Sequence, residues 1–231
     1  MSTRKRVLIV DDHPLVRHGL CQAIASTADM VVCGQEGSWH KALEIVLTTR
    51  PDLIVLDLNL EDGNGWSLLE QLQARGEQWP VLVFSVCDEQ VYAKRLLKAG
   101  ARGYMMKASP ITCVLAAMRK VLAGQIALSE TMNTRLLEGE MHNRPANSTM
   151  DQLSDRELQV YEMIGEGLSN KDIGFNLGVS HKTIGTYKAR LMQKLSCRTT
   201  QELVLHVGQL HQGETPAFSP ATSAATSKSM S

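Results

Sequence analysis

Residues 51–66, PDLIVLDLNLEDGNGW, decide how this chain folds. The apolar run from Leu53 to Leu56 is short and partly β-branched, with Pro51 before it and a glycine-rich turn after it. Those bounds predict a buried strand ending at Asp57. In an open α/β sheet the C-terminal strand ends form the rim where ligands bind. Asp57 therefore reads either as a cap for the next turn or as a carboxylate placed on that rim. The flanking sequence chooses between the two.

Upstream, Val7 to Val10 is another apolar run, closing in Asp11, Asp12, His13 and Pro14. Pro14 suits the first turn of a helix that continues through Leu15, Val16, Leu20 and Ile24. A strand over 30–33 and an amphipathic helix over 39–47 follow. Beyond Trp66 the spacing predicts a helix over 66–72, a strand over 81–85 and a helix over 90–99, which Gly100 stops. A strand over 103–106 and a helix over 111–123 complete the series. Strict alternation with short connections predicts a doubly wound, five-stranded parallel sheet with helices on both faces. The strand ends then bring Asp11, Asp12, Asp57, Ser85 and Lys107 to one rim. Crowded carboxylates repel unless a hard divalent cation such as magnesium neutralises them. A lysine and a hydroxyl beside them can hold phosphoryl oxygens. The set fits a carboxylate at Asp57 that becomes phosphorylated.

Here the chain resembles the receiver domain of bacterial two-component response regulators. VLIVDDHPLVRHGL, LIVLDLNL, VLVFSV and GARGYMMK occur in that order, over about residues 5–123. The resemblance implies a flavodoxin-like fold in which Asp57 accepts phosphate from a sensor histidine kinase. It implies a Mg2+ site at Asp12 and Asp57, assisted by Asp11, with the backbone carbonyl of Asn59 as a further ligand. Ser85 and Lys107 would sense the phosphoryl group, and the rotamer of Tyr104 would report the state. Val86 and Ala108 depart from the small residue and the proline that many members carry at those places.

Composition adds bounds. The 231 residues suffice for one large or two smaller domains. Twenty-four basic and 24 acidic residues balance, so any argument for nucleic acid rests on local clustering. Five scattered cysteines without CxxC spacing suggest neither a disulfide framework nor a zinc site. No apolar run approaches the roughly 20 residues of a membrane span, and Arg4 to Arg6 precede too short a run for a signal peptide. A cytoplasmic protein is expected.

From residue 128 the pattern decays. Leu136 and Leu137 extend a short helix, and residues 138–150 read as an exposed linker. At 154–157, SDRE is a capping box that opens a helix. Ser169 caps a second helix that Gly178 ends, Ser180 caps a third, and Thr199 starts a fourth. Two short helices joined by LGVS make a helix-turn-helix. No acidic residue lies between Asp172 and Glu202, whereas Lys182, Lys188, Arg190, Lys194 and Arg198 all do. A basic helix after a glycine turn is an electrostatic footprint for DNA phosphates. Its outer face presents Lys182, Gly185, Thr186, Ala189 and Gln193, flanked by Arg190. Small residues there let the helix approach base edges, and the Thr186 methyl suits a thymine. Lys188 lies nearer the core and reads as snorkelling to the backbone.

The stretch from LSDRE to QKL resembles the LuxR-type helix-turn-helix, in the arrangement of NarL/FixJ-class regulators. The resemblance covers about residues 153–208 and implies four helices, recognition through 180–194 and dimerisation through the last helix. Its DNA-facing candidates are Ser180, Lys182, Thr183, Gly185, Thr186, Tyr187, Lys188, Ala189, Arg190 and Lys194. The expected organisation is a receiver over 1–126, a linker over 127–152, a four-helix all-α DNA-binding domain over 153–211 and a disordered tail over 212–231. The expected function is a phosphorylation-switched transcription regulator, not an enzyme, binding double-stranded DNA as a homodimer. One alternative is a DNA binder indifferent to phosphorylation. Another is an aspartyl-phosphate phosphotransferase, disfavoured because Asn59 cannot transfer the proton that a second Asp supplies in such enzymes.

Overall fold

The computed structural model describes residues 4–60, 62–76, 79–142 and 149–211. In the first half, β1 (Lys5–Val10), α1 (Pro14–Ala25), β2 (Met30–Glu36), α2 (Trp39–Thr49) and β3 (Leu53–Leu56) alternate as expected. A two-stranded hairpin follows, β4 (Asn59–Leu60) against β5 (Gly63–Asn64). Then come α3 (Gly65–Ala74), β6 (Val81–Ser85), α4 (Glu89–Lys98), β7 (Gly103–Met106) and α5 (Ile111–Leu122). The main sheet runs in the order β2-β1-β3-β6-β7, and every pairing is parallel. This is a flavodoxin-like, doubly wound sheet.

Alternate residues of each strand face opposite sides. Leu8, Val10, Ile54, Leu56, Val81 and Val83 join Val46, Leu68, Leu72 and Leu96 of α2, α3 and α4 in one apolar layer. Val7, Ile9, Leu53, Val55, Leu82 and Phe84 join Leu20, Ile24, Val114 and Met118 of α1 and α5 in the other. Burial on both faces explains why the strands read as continuous apolar runs. The hairpin has no sequence signal, because two residues per strand are too few for a pattern.

The linker expectation needs correction. A helix, α6 (Glu130–His142), extends beyond residue 138, and a 3-10 turn spans Thr149–Gln152. Met132 and Met150 are buried in the apolar core, which ties these segments down where polar composition suggested exposure. Residues 143–148 and the tail from 212 lie outside the described residues.

In the second half, α7 (Asp155–Gly165), α8 (Asn170–Asn176), α9 (His181–Lys194) and α10 (Thr200–His211) form the expected all-α unit. Ser154 and Glu157 complete the capping box, while the Ser169 and Ser180 hydroxyls accept from the N–H groups of Asp172 and Thr183. Gly174 lets α8 reach the turn: a Cβ there would stand 2.7 Å from the Val179 carbonyl oxygen. Among the described residues no helix is long and apolar enough to cross a membrane.

Candidate functional site

Strand register builds the rim. Val10 pairs beside Leu56, so Asp11 and Asp57 leave adjacent strands together, and the Asp57 N–H donates to the Val10 carbonyl at 2.8 Å. Ser85 pairs beside Met106, and the Lys107 N–H donates to the Ser85 carbonyl at 2.8 Å. The five predicted side chains are therefore delivered to one end of the sheet. Lys107 Nζ stands 2.7 Å from Asp57 Oδ2 and 2.8 Å from Asp11 Oδ2. Asp57 and Asp11 are only 1% and 2% exposed, so this ammonium neutralises charges that water cannot reach. The other Asp57 oxygen accepts the Leu58 N–H at 2.7 Å.

Burial pushes the Asp57 carboxyl above the ordinary carboxylate range; Lys107 pulls it back and Asp11 pushes it further up. Burial works against the Lys107 ammonium, but Asp57 and Asp11 outweigh it and hold Lys107 above the usual lysine range. Lys107 is the neighbour that chiefly favours the ionised form of Asp57. Ser85 is fully buried, and its hydroxyl lies near the Asp57 carboxylate and the Cys87 thiol without an aligned hydrogen bond to either. Such a group is costly unless something arrives to accept its proton. Tyr104 is 1% exposed and donates through its hydroxyl to the Cys87 carbonyl at 2.7 Å.

Ligand atoms of Asp11, Asp12, His13 and Asp57 all lie within 4.8 Å of one another. Asp12 Oδ1 and Asp11 Oδ2 lack an aligned hydrogen-bond donor, although His13 Nδ1 lies 2.6 Å from the first and Lys107 beside the second. Hard, under-donated oxygens in such a group fit a divalent cation. His13 is the member that sequence reasoning passed over. Its signal was its place directly after two acids at a strand end. Asn59 sits two residues past Asp57, paired across the hairpin with Asn64.

Backbone spacing under Asp57 depends on Gly65, whose N–H donates to the Leu58 carbonyl at 2.7 Å. A Cβ on Gly65 would stand 2.0 Å from the Asp57 carbonyl oxygen. Gly65→Ala is expected to push the Asp57 peptide off the rim, costing about 1–3 kcal/mol of stability. Denaturation midpoints measure the loss, and a wild-type midpoint would refute this account of the glycine.

On α9 the core face is Ile184 and Leu191, both fully buried. Lys182, Thr186, Ala189 and Arg190 are exposed, as is Ser180 at the cap. Gly185 is half-buried, with open space where a side chain would stand. Thr183, Tyr187 and Lys188 are half-buried too, and the Lys188 ammonium donates to Asn170 Oδ1 at 3.2 Å. Lys194 has internal work: its ammonium lies 2.6 Å from Glu157 Oε2 and donates to the Gln152 carbonyl at 3.0 Å. Burial raises Glu157, but Lys194 and Ser154 outweigh it and leave that carboxyl below its ordinary value. Lys194 thus braces the α7 capping box.

Comparison with known proteins adds two matched families. Residues 7–119 match the response regulator receiver domain, and residues 151–207 match the bacterial regulatory proteins of the luxR family. A nitrate/nitrite response regulator protein homolog of Haemophilus influenzae is 33% identical over 196 residues, covering 85% of this chain and 92% of that one. Response regulator GacA of Pseudomonas aeruginosa is 32% identical over 200 residues, covering 87% and 94%. Among solved structures, the RcsB response regulator of Salmonella typhimurium shares the fold, with a TM-score of 0.74 at 20% identity over 90% of this chain and 99% of that one.

Proposed function

The chain belongs to the NarL/FixJ class of two-component response regulators, a receiver domain joined to a LuxR-type helix-turn-helix, and from that membership we propose how its residues divide the work. It is a DNA-binding regulator switched by phosphorylation, a signalling protein rather than a catalytic enzyme. In our reading a sensor histidine kinase is the phosphodonor. An Asp57 oxygen attacks phosphorus, the N–P bond breaks, and the imidazole nitrogen keeps the electron pair. Asp11, Asp12, Asp57 and the Asn59 carbonyl would hold Mg2+, with His13 against Asp12. A divalent ion held there would screen the charge on the phosphoryl oxygens. Lys107 exchanges an Asp57 oxygen for a phosphoryl oxygen, and the Ser85 hydroxyl gains the acceptor it lacks. Tyr104 follows the change through the Cys87 carbonyl.

The receiver spans 1–126, a connector that includes α6 spans 127–152, and the DNA-binding domain spans 153–211. The exposed face of α9 enters the major groove, where Thr186 and Ala189 meet base edges and Lys182 and Arg190 meet phosphates. Ser180, Thr183, Gly185, Tyr187 and Lys188 line the approach, and Lys194 acts through its brace to Glu157. The last helix, α10, leaves Val204 and Leu205 exposed, an apolar pair suited to a second copy on DNA.

The observation that carries this reading is the Lys107 ammonium bridging Asp57 and Asp11 in a chain that also holds α9. Its test compares DNA affinity with and without acetyl phosphate and magnesium, while intact mass counts covalent phosphate. Identical binding curves for phosphorylated and unmodified protein would favour a binder indifferent to phosphorylation. For the DNA face, Lys182→Ala is expected to weaken binding on every sequence and to flatten the salt slope by about 1. Thr186 substitutions should instead change base preference. Equal effects on all sites from both would contradict this division.

A further inference from the structure

A carboxylate lies at the centre of the seam between the two domains. Glu162, on α7, is 3% exposed and accepts a hydrogen bond from the Tyr92 hydroxyl of α4. Its other oxygen lies 3.9 Å from the Cys87 thiol, a weak donor two residues past the end of β6. Tyr92 and Cys87 are buried as well. Arg95 of α4 flanks this centre, reaching Asp155 Oδ1 and the Met150 carbonyl, each at 2.9 Å. On the far side Arg156 stands 3.6 Å from Glu70 of α3. The outer face of α9 stays uncovered, with Lys182, Thr186, Ala189, Arg190 and Gln193 all exposed. The seam therefore does not act by hiding the reading helix.

Its position next to the switch is what gives it meaning. Cys87 follows Ser85 by two residues, and its carbonyl holds the Tyr104 hydroxyl. Ser85, Tyr104 and Glu162 thus converge on one short segment, 85–87. We propose that Glu162 is the residue through which phosphorylation of Asp57 reaches the DNA-binding domain, by clasping α7 to α4 until segment 85–87 moves. This rests on the phosphoacceptor reading given above. A phosphoryl group offers the Ser85 hydroxyl, which has no aligned acceptor, a strong one and draws the end of β6 toward Asp57, carrying Cys87 with it. A buried carboxylate that loses donors becomes expensive to keep buried, so α7 departs. Paired recognition helices must meet half-sites at a set spacing. A domain clasped to its own receiver is restricted in reaching that spacing, and release removes the restriction.

Glu162 is a positioning residue, so its test reads coupling and not binding alone. The full chain is compared as wild type, Glu162→Ala, Glu162→Gln and Tyr92→Phe, each with and without acetyl phosphate and magnesium. Intact mass scores phosphate, and DNA affinity is measured in each state. Tyr161 and Gly165 carry the packing of α7 on α10, against His206 and Val207, and Glu162→Ala leaves that packing in place. Wild type should gain roughly 5–150-fold in affinity on phosphorylation. Unphosphorylated Glu162→Ala should bind DNA about as tightly as phosphorylated wild type and gain little more on modification, while still accepting phosphate. Glu162→Gln, whose amide oxygen still accepts from Tyr92, should keep most of the gain. Tyr92→Phe should lose part of it and decides the matter if Glu162→Ala fails to fold. A wild-type gain in both Glu162→Ala and Tyr92→Phe overturns the clasp, as does weaker unphosphorylated binding by folded Glu162→Ala. Wild type that takes phosphate without any change in affinity overturns the clasp and the switch together. Wild type that takes none overturns the phosphoacceptor reading, a distinguishable failure.

Discussion

Asp57→Asn is expected to carry no covalent phosphate under conditions in which the wild-type chain is modified, and to lose the entire gain in DNA affinity. The amide is nearly the same shape as the carboxylate, and its oxygen can still accept the Leu58 N–H that Asp57 Oδ1 accepts at 2.7 Å. What it lacks is an anionic oxygen to attack phosphorus. Moving a two-state switch from mostly off to mostly on takes about 5 kcal/mol of differential stabilisation. With no phosphoryl group there is no source for it. Misfolding should not confuse the result. Burial raises the Asp57 carboxyl above its unfolded value, a cost of the ionised form that a neutral amide does not carry, while the Lys107 ammonium loses the carboxylate that chiefly holds it above the usual lysine range. Lys107 keeps Asp11 as its partner, 2.8 Å away. The denaturation midpoint, measured beside the phosphorylation assay, separates any folding defect from the loss of the acceptor. Phosphate on the variant at the wild-type rate would place the acceptor elsewhere and end this assignment.

The second large effect belongs to Lys107→Met. It removes the ammonium standing between two carboxylates that are 1% and 2% exposed, and leaves their charges facing each other. Breaking a buried pair from one side costs about 3–5 kcal/mol. That loss should appear at neutral pH without divalent ions, and added magnesium should recover part of it. The pH dependence has a definite sign. In wild type Lys107 is held above its unfolded value, so its contribution is complete below the ordinary lysine range and fades as pH rises through the folded value. In the variant, burial acts on Asp57 without that opposition and its carboxyl moves further up. A carboxyl raised by folding stabilises when protonated, so Lys107→Met should become more stable as pH falls through the folded Asp57 value. Phosphate acceptance needs the ionised form, so its rate profile should shift to higher pH than wild type. Urea denaturation across pH and acetyl phosphate kinetics test the two halves. A variant with wild-type stability and an unshifted profile would show that Lys107 does not govern the charge of this rim.

Periodicity and punctuation were enough to determine the alternating elements, the four helices of the second half and their serine caps. Each depends on local preference: a short apolar run between breakers, a hydroxyl before a helix, a glycine after it. The rim was legible for the same reason, since Asp11, Asp57, Ser85 and Lys107 each end or follow a strand and parallel strands align their ends. Other features had no local signature. The β4–β5 hairpin is too short to pattern, and α6 and the turn at Met150 are held by burial in a core assembled from distant segments. Lys194 looked like one more cation of a reading helix, and only the approach of Glu157 across the domain turned it inward. Glu162, Tyr92 and Cys87 carry no motif; they meet because two domains dock, bringing together residues 70 and 75 positions apart. Local chemistry decided the elements and the acidic rim, whereas contacts across the domain seam depend on non-local packing that no sequence window contains.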